Sequence, residues 1–149
     1  MQKISPMLWF DSQAEEAAKF YTSVFKDSKI TNTTYYTAES PSNKPLGSVL
    51  TVGFQIEDQD FAAINGGDQF KFNEAISFVI HCENQAEIDY YWEKLSAVPA
   101  AEICGWCKDK YGVSWQVVPK DIDKLTKNPA AMKAMLDMKK IIIADLQNT

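Results

Sequence analysis

The residues able to do chemistry are few, and their spacing narrows what they can do. His81 is the only histidine, and the chain holds three cysteines and four tryptophans. An imidazole titrates near neutrality, so His81 is a candidate general base, with Glu83 two residues on as its orienter. The plainer expectation is a hydrogen-bonded strand residue. Cys104-Gly105-Trp106-Cys107 is a C-x-x-C motif. Redox dithiols of that form sit at a helix N-terminus, where the dipole favours a thiolate. Here the motif falls in a predicted strand, whose alternation sends the two sulfurs to opposite faces. A structural zinc wants four nitrogen or sulfur ligands, so a pair of core thiols is expected. Trp9, Trp106 and Trp115 are candidates for stacking on a planar or cationic ligand. Of these, Trp9 is the favoured ligand contact and Trp115 the expected core residue. Asn65-Gly66-Gly67 reads as a turn or a backbone anion site. Met132, Met135 and Met138 read as core, dimer contact or a pliable lid. Glu57, Asp58 and Asp60 read as a solvated turn.

The elements that must position these residues follow from an internal repeat. Ile4-Ser5 recurs as Ile76-Ser77, and Gln13-Ala14-Glu15 as Gln85-Ala86-Glu87, each 72 positions on. Ser12 and Asn84 stand where N-caps belong, with Glu15 and Glu87 three residues later at capping-box spacing. The first copy predicts a strand over Ile4–Phe10, a helix over Ser12–Phe25 and strands over Lys29–Tyr36, Val49–Ile56 and Phe61–Ile64, with a turn at Glu57–Asp60. The second predicts strands over Ala75–Cys82, Ile103–Lys108 and Val113–Val118, and a helix over Asn84–Leu95. One of its strands is not evident. Asp109–Gly112 reads as a hairpin turn. Asn128-Pro129 is a helix-start signal for the segment after the repeat.

Composition bounds the rest. Hydrophobic residues make up 46% and charged residues 23%, an ordinary globular balance. A net charge of −5 without a basic run argues against nucleic acid and anionic membrane as partners. No apolar run approaches the ~20 residues of a membrane helix. The N-terminus lacks a signal-peptide pattern, and an odd cysteine count suits a reducing compartment, so a cytoplasmic protein is expected.

The order strand, helix, strands, taken twice, resembles the vicinal oxygen chelate superfamily of glyoxalase I, extradiol dioxygenases and bleomycin- and fosfomycin-resistance proteins. Leu8-Trp9-Phe10-Asp11 with Phe20-Tyr21, Ala63-Ile64-Asn65-Gly66-Gly67, and Lys108-Asp109-x-Tyr111-Gly112-x-Ser114-Trp115-Gln116 sharpen this to the PhnB-like branch, often labelled 3-demethylubiquinone 3-methyltransferase-like. The resemblance implies an α+β fold of two tandem βαβββ modules with a helical C-terminal extension. It places module one at about 1–67, module two at about 73–119 and the extension at about 120–149, all in one domain. It also implies a homodimer and a cup-shaped ligand site. A methyltransferase of the Rossmann type needs a Gly-rich strand-to-helix turn. The only Gly pair here, Gly66-Gly67, precedes a strand instead.

In that superfamily metal ligands come from the first and last strands of each module. The matching positions are Ser5, Ala62 or Ala63, Ser77 and Gln116, a weak donor set for a transition metal. Neither a metal nor a cofactor is expected. Strand alternation then turns Ser5, Met7 and Trp9, Ser77, Val79 and His81, and Gln116 with Ser114 and Val118 toward the cup. Such a lining is apolar and aromatic with a few neutral polar groups, and suits a small-molecule ligand. The expected function is small-molecule binding, with catalysis open. The alternatives are a metal-dependent lyase or dioxygenase with non-standard ligands, a drug-sequestering resistance-type protein, and an interaction module whose cup is filled by Met7, Trp9 and Phe72.

Overall fold

The computed structural model describes residues 2–149. Its contacts divide it into two compact units at the Lys71/Phe72 junction.

The first unit contains β1 (Met7–Phe10), α1 (Ala14–Val24), β2 (Ser28–Tyr35), β3 (Val49–Ile56) and β4 (Gln59–Asn65). The sheet order is β1-β4-β3-β2, with β1 parallel to β4 and the other pairs antiparallel. A parallel pair needs a long crossover, which α1, β2 and β3 supply. Alternation puts Leu8, Phe10, Val52, Phe54 and Ala63 on one face, all buried. Against them α1 packs Ala14, Ala17 and Ala18, which are fully buried and small enough for close approach, and Tyr21, whose ring stacks on Phe54 with centroids 5.9 Å apart.

Three expectations are corrected here. β1 starts at Met7 rather than Ile4, because Pro6 has no N–H to give a ladder; only its carbonyl is used, by Ala62 N. The β3–β4 turn is just Glu57-Asp58, since Ile56 pairs with Gln59, so β4 begins two residues before Phe61. Ser12 does not cap α1. Asn65 does, from the end of β4: its Oδ1 accepts the Ala14 N–H at 2.8 Å while its Nδ2 donates to Val49 O. A long-range amide has displaced the local capping box.

The second unit contains β5 (Ser77–Cys82), α2 (Gln85–Leu95), a 3-10 turn (Pro99–Ala101), β6 (Trp106–Lys108) and β7 (Ser114–Pro119). β5 pairs parallel with β7 and β6 antiparallel, giving the order β5-β7-β6. The Asn84 cap is as expected, with its Oδ1 accepting from Glu87 N at 3.0 Å. β5 starts at Ser77 rather than Ala75.

This sheet lacks a counterpart of β2 among the described residues. The chain instead passes β6 irregularly, with Ala97 N donating to Lys108 O at 2.9 Å, and returns through a tight turn, Ile103–Trp106. The expected strand Ile103–Lys108 is therefore cut to its last three residues. Cys104 and Gly105 occupy the turn with φ of 39° and 87°, a left-handed pair that a continuous strand excludes. Beyond β7 come α3 (Ile122–Leu125), α4 (Pro129–Leu136), capped by Asn128 as its sequence predicts, and α5 (Ile143–Gln147). This extension is bound to the unit. Met138 O and Lys139 O accept from Cys104 N and Gly105 N, Ile141 is fully buried, and the Gln85 amide holds Ile141 O and Ile143 N.

Candidate functional site

Register settles which side chains share a face. In the second unit Ser77 lies opposite Ser114, and Val79 opposite Gln116. β6 adds Trp106 opposite Gln116 and Lys108 opposite Ser114. Ser77, Val79, His81, Ser114, Gln116, Trp106 and Lys108 therefore stand on one face of the sheet. Phe78, Cys82, Cys107, Trp115 and Val117 stand on the other, which α2 covers. Trp115 packs on Phe78 there with centroids 5.4 Å apart, as the alternation predicts.

The predicted residues of the ligand-facing surface behave as follows. Gln116 Nε2 donates to Ser77 Oγ at 3.0 Å, so these two superfamily ligand positions are tied to each other. Val79 and His81 are exposed. Among the described residues the His81 side chain makes no hydrogen bond or ion pair, and Glu83, its candidate orienter, is taken by Lys120. His81 is thus a strand residue paired with Val118, as expected, with a free-standing imidazole. Ser114 and Val118 are buried.

In the first unit Met7 is exposed and Ser5 lies ahead of β1 in exposed chain. Trp9 is half-buried. Its Nε1 donates to Gly67 O at 2.9 Å, and its ring meets Phe70 edge-on with centroids 4.9 Å apart. A Cβ on Gly66 would stand 2.3 Å from that indole, so the glycine gives the tryptophan its seat. Asn65-Gly66-Gly67 thus serves as a structural corner, with Ser42 Oγ donating to Gly66 O.

The register also resolves the first module's last superfamily position. Met7 pairs with Ala62 as its repeat mate Val79 pairs with Gln116, so the position is Ala62. The four positions are Ser5, Ala62, Ser77 and Gln116: two hydroxyls, a methyl and an amide. This donor set does not fit a divalent transition metal. Among the described residues no three His, Cys, Asp or Glu side chains converge to hold a metal ion. A methyl-donor cofactor fits no better: the strand-to-helix turns are Asp11–Gln13 and Glu83–Asn84, neither with a glycine to admit a nucleoside against the backbone.

Beside β6 the second unit has a groove of about 580 Å³. Trp106 and Lys108 form its floor from β6. Val98, Ala100, Ala101, Ile103 and Cys104 form the wall, and Glu74 closes one end. The lining is mostly apolar, with one ion pair, Lys108 Nζ to Glu74 Oε1 at 2.5 Å. That hydrogen bond and charge hold the Glu74 carboxyl below its usual range. The tight turn that carries Cys104 is fixed by its backbone N–H groups donating to Met138 O and Lys139 O.

Sequence reasoning placed Trp106 in a strand but not in this groove, because that strand starts at Trp106 rather than Ile103. The signal for Lys108 was its period-2 spacing from Trp106. The thiols are poor nucleophiles. Burial, aided by Glu87, pushes Cys82 up to about 12, and burial with Asp109 and Glu102 nearby pushes Cys107 up to about 12. Burial also raises Cys104. Asp109 organises the β6–β7 turn, accepting from Tyr111 N, Val113 N and the Trp115 indole at 2.9–3.1 Å while almost fully buried.

Residues 2–118 match the family described as 3-demethylubiquinone-9 3-methyltransferase. Among solved structures, a putative 3-demethylubiquinone-9 3-methyltransferase, PhnB protein, from Bacillus cereus is 35% identical with a TM-score of 0.65; the match covers 79% of this chain and 99% of that one. A Pseudomonas aeruginosa protein shares the fold at 16% identity and a TM-score of 0.59, over 80% of this chain and 98% of its own. An Arabidopsis thaliana gene product does so at 15% identity and 0.51, over 79% and 98%. No curated protein matches the sequence. No helix among the described residues is long and apolar enough to cross a membrane.

Proposed function

Given that the chain belongs to the 3-demethylubiquinone-9 3-methyltransferase family of PhnB-like proteins, with a glyoxalase-like fold, we propose that it binds a small, largely apolar molecule in the groove of its second unit. The observation that carries this is the groove itself. Its volume of about 580 Å³ falls within the ~300–1,000 Å³ of small-molecule sites, and it joins an apolar wall to one aromatic face and one charged pair. Trp106 supplies a planar surface, half-buried and fixed by the strand. The binding does not draw on a metal or on a methyl-donor cofactor, for which the residues at the superfamily positions and helix starts are the wrong types. The protein is proposed to act as a homodimer. In support, repeat-matched apolar residues of both units are exposed: Ile4 with Ile76, and Met7 with Val79.

Native mass spectrometry of protein purified without chelator or metal-affinity tag tests both. A dimer mass with a retained small molecule, lost on Trp106→Ala, is the expected result. A stoichiometric metal would overturn the proposal in favour of metal-dependent chemistry through other ligands.

A further inference from the structure

The groove contains one charged pair, and its two members are held differently. This inference rests on the groove being a small-molecule site. Lys108 belongs to β6, where Trp106 and Lys108 are fixed by the ladder to β7 on one side, and Ala97 N takes the Lys108 carbonyl on the other. Its side chain is 24% exposed. Glu74 lies in the irregular segment before β5, and its side chain is 64% exposed. A mostly covered ammonium on a paired strand thus faces the groove, and its present partner is a carboxylate that water reaches freely. Water screens an exposed pair of this kind, so exchanging its carboxylate for another is easy. Removing the ammonium from all carboxylates inside an apolar groove is harder.

The rest of the lining has no second charge: its other side-chain polar groups are the Trp106 indole N–H and the Cys104 thiol, which burial pushes up from its ordinary range. We infer that the groove selects a small planar molecule bearing a carboxylate or similar monoanion: the ring lies on Trp106 and the anion replaces Glu74 on Lys108. Glu74 is then a gate that competes with the ligand rather than a contact that holds it. A cationic ligand would have to use Glu74, the loosely held partner, and displace Lys108, the fixed one. The geometry argues for the reverse.

The two assignments predict opposite signs for one substitution. Isothermal titration with 2-naphthoate, 2-naphthamide and 2-naphthylmethylammonium compares an anion, a neutral near-isostere and a cation on the same ring. The expected result is that naphthoate binds best, that Lys108→Met weakens it tenfold or more, and that Glu74→Gln strengthens it about twofold to fivefold, the range that losing a competing exposed pair allows. The amide should be nearly indifferent to both substitutions. Equal binding of amide and acid, or weaker naphthoate binding by Glu74→Gln, would overturn the anion assignment while leaving the groove a small-molecule site. Failure of all three probes to bind, or binding that Trp106→Ala leaves unchanged, would instead overturn the groove itself. Both charged residues are partly exposed, so unchanged thermal midpoints are expected and verify that each variant is folded.

Discussion

Replacing Asn65 by alanine separates the two ways this chain starts a helix. Asn65 is 7% exposed, and its amide bridges two elements: Oδ1 takes the first amide of α1, Ala14 N at 2.8 Å, and Nδ2 reaches Val49 O on β3 at 3.1 Å. Each net hydrogen bond is worth about 1 kcal/mol, and a buried backbone group left without a partner costs about 1–3 kcal/mol. Ala14 is fully buried, so water cannot replace the bond to its N–H without opening the helix start. The sum predicts a loss of about 2–4 kcal/mol. In a chain of this size that lowers the thermal midpoint by roughly 4–16 °C. Asn84→Ala is the control. The Asn84 cap is local and solvent-exposed, so its loss should cost only about 1 kcal/mol, an ordinary N-cap value. Denaturant titration monitored by circular dichroism measures both, and hydrogen exchange at the first turn of α1 localises the first. If Asn65→Ala costs no more than Asn84→Ala, the argument that a strand-borne amide anchors α1 is wrong.

Four further outcomes follow from the same geometry. Ser114 Oγ is buried without a hydrogen-bond partner among the described residues, so Ser114→Ala should leave stability unchanged or raise it by up to about 1 kcal/mol; a clear loss in thermal melts would reveal a partner. Gly66→Ala should destabilise the first unit by about 1–3 kcal/mol, because its Cβ must displace the Trp9 indole, and tryptophan emission should shift accordingly. Glu74 is held below the usual carboxylate range by Lys108, so the pair's contribution is present above that range and is lost as pH falls through the lowered value. Carboxyl NMR titration should show the low midpoint in the native protein and an ordinary one in Lys108→Met. With Cys82 and Cys107 both near 12, a thiol reagent at pH 8 should modify Cys104 first, and the other two only on denaturation.

Much of the architecture was legible because it is written twice. The 72-residue repeat located both helices, and alternation put Trp115 and Cys82 behind the sheet and Gln116 and Ser77 in front of it. What failed did so where a distant residue outbid a local signal. Ser12 has the right neighbours for a cap, yet Asn65, 53 residues later in the sequence, arrives first in space. Ile103–Lys108 has strand composition, yet the left-handed Cys104-Gly105 pair bends it back. That bend also hid the groove, since it is the turn that brings Ile103 and Cys104 beside Trp106 and Lys108. Trp9, readable as a ligand contact, is engaged by its own Gly66-Gly67 corner, a match that only the long-range β1–β4 pairing reveals.

The backbone bonds from residues 138 and 139 to the Cys104-Gly105 turn set an order for biosynthesis. Domains emerging from a ribosome fold from the N-terminal end. The first unit has every partner of its sheet and its helix cap once Asn65 is clear of the exit tunnel. The second cannot fix the wall of its groove until Lys139 has emerged and Ile141 has found its buried seat, more than 20 residues after β7 is complete. A nascent chain therefore passes through an interval with one finished unit and one whose sheet is paired but whose groove is still unframed. A ligand that needs that groove would be recruited only to chains whose synthesis has run past this point.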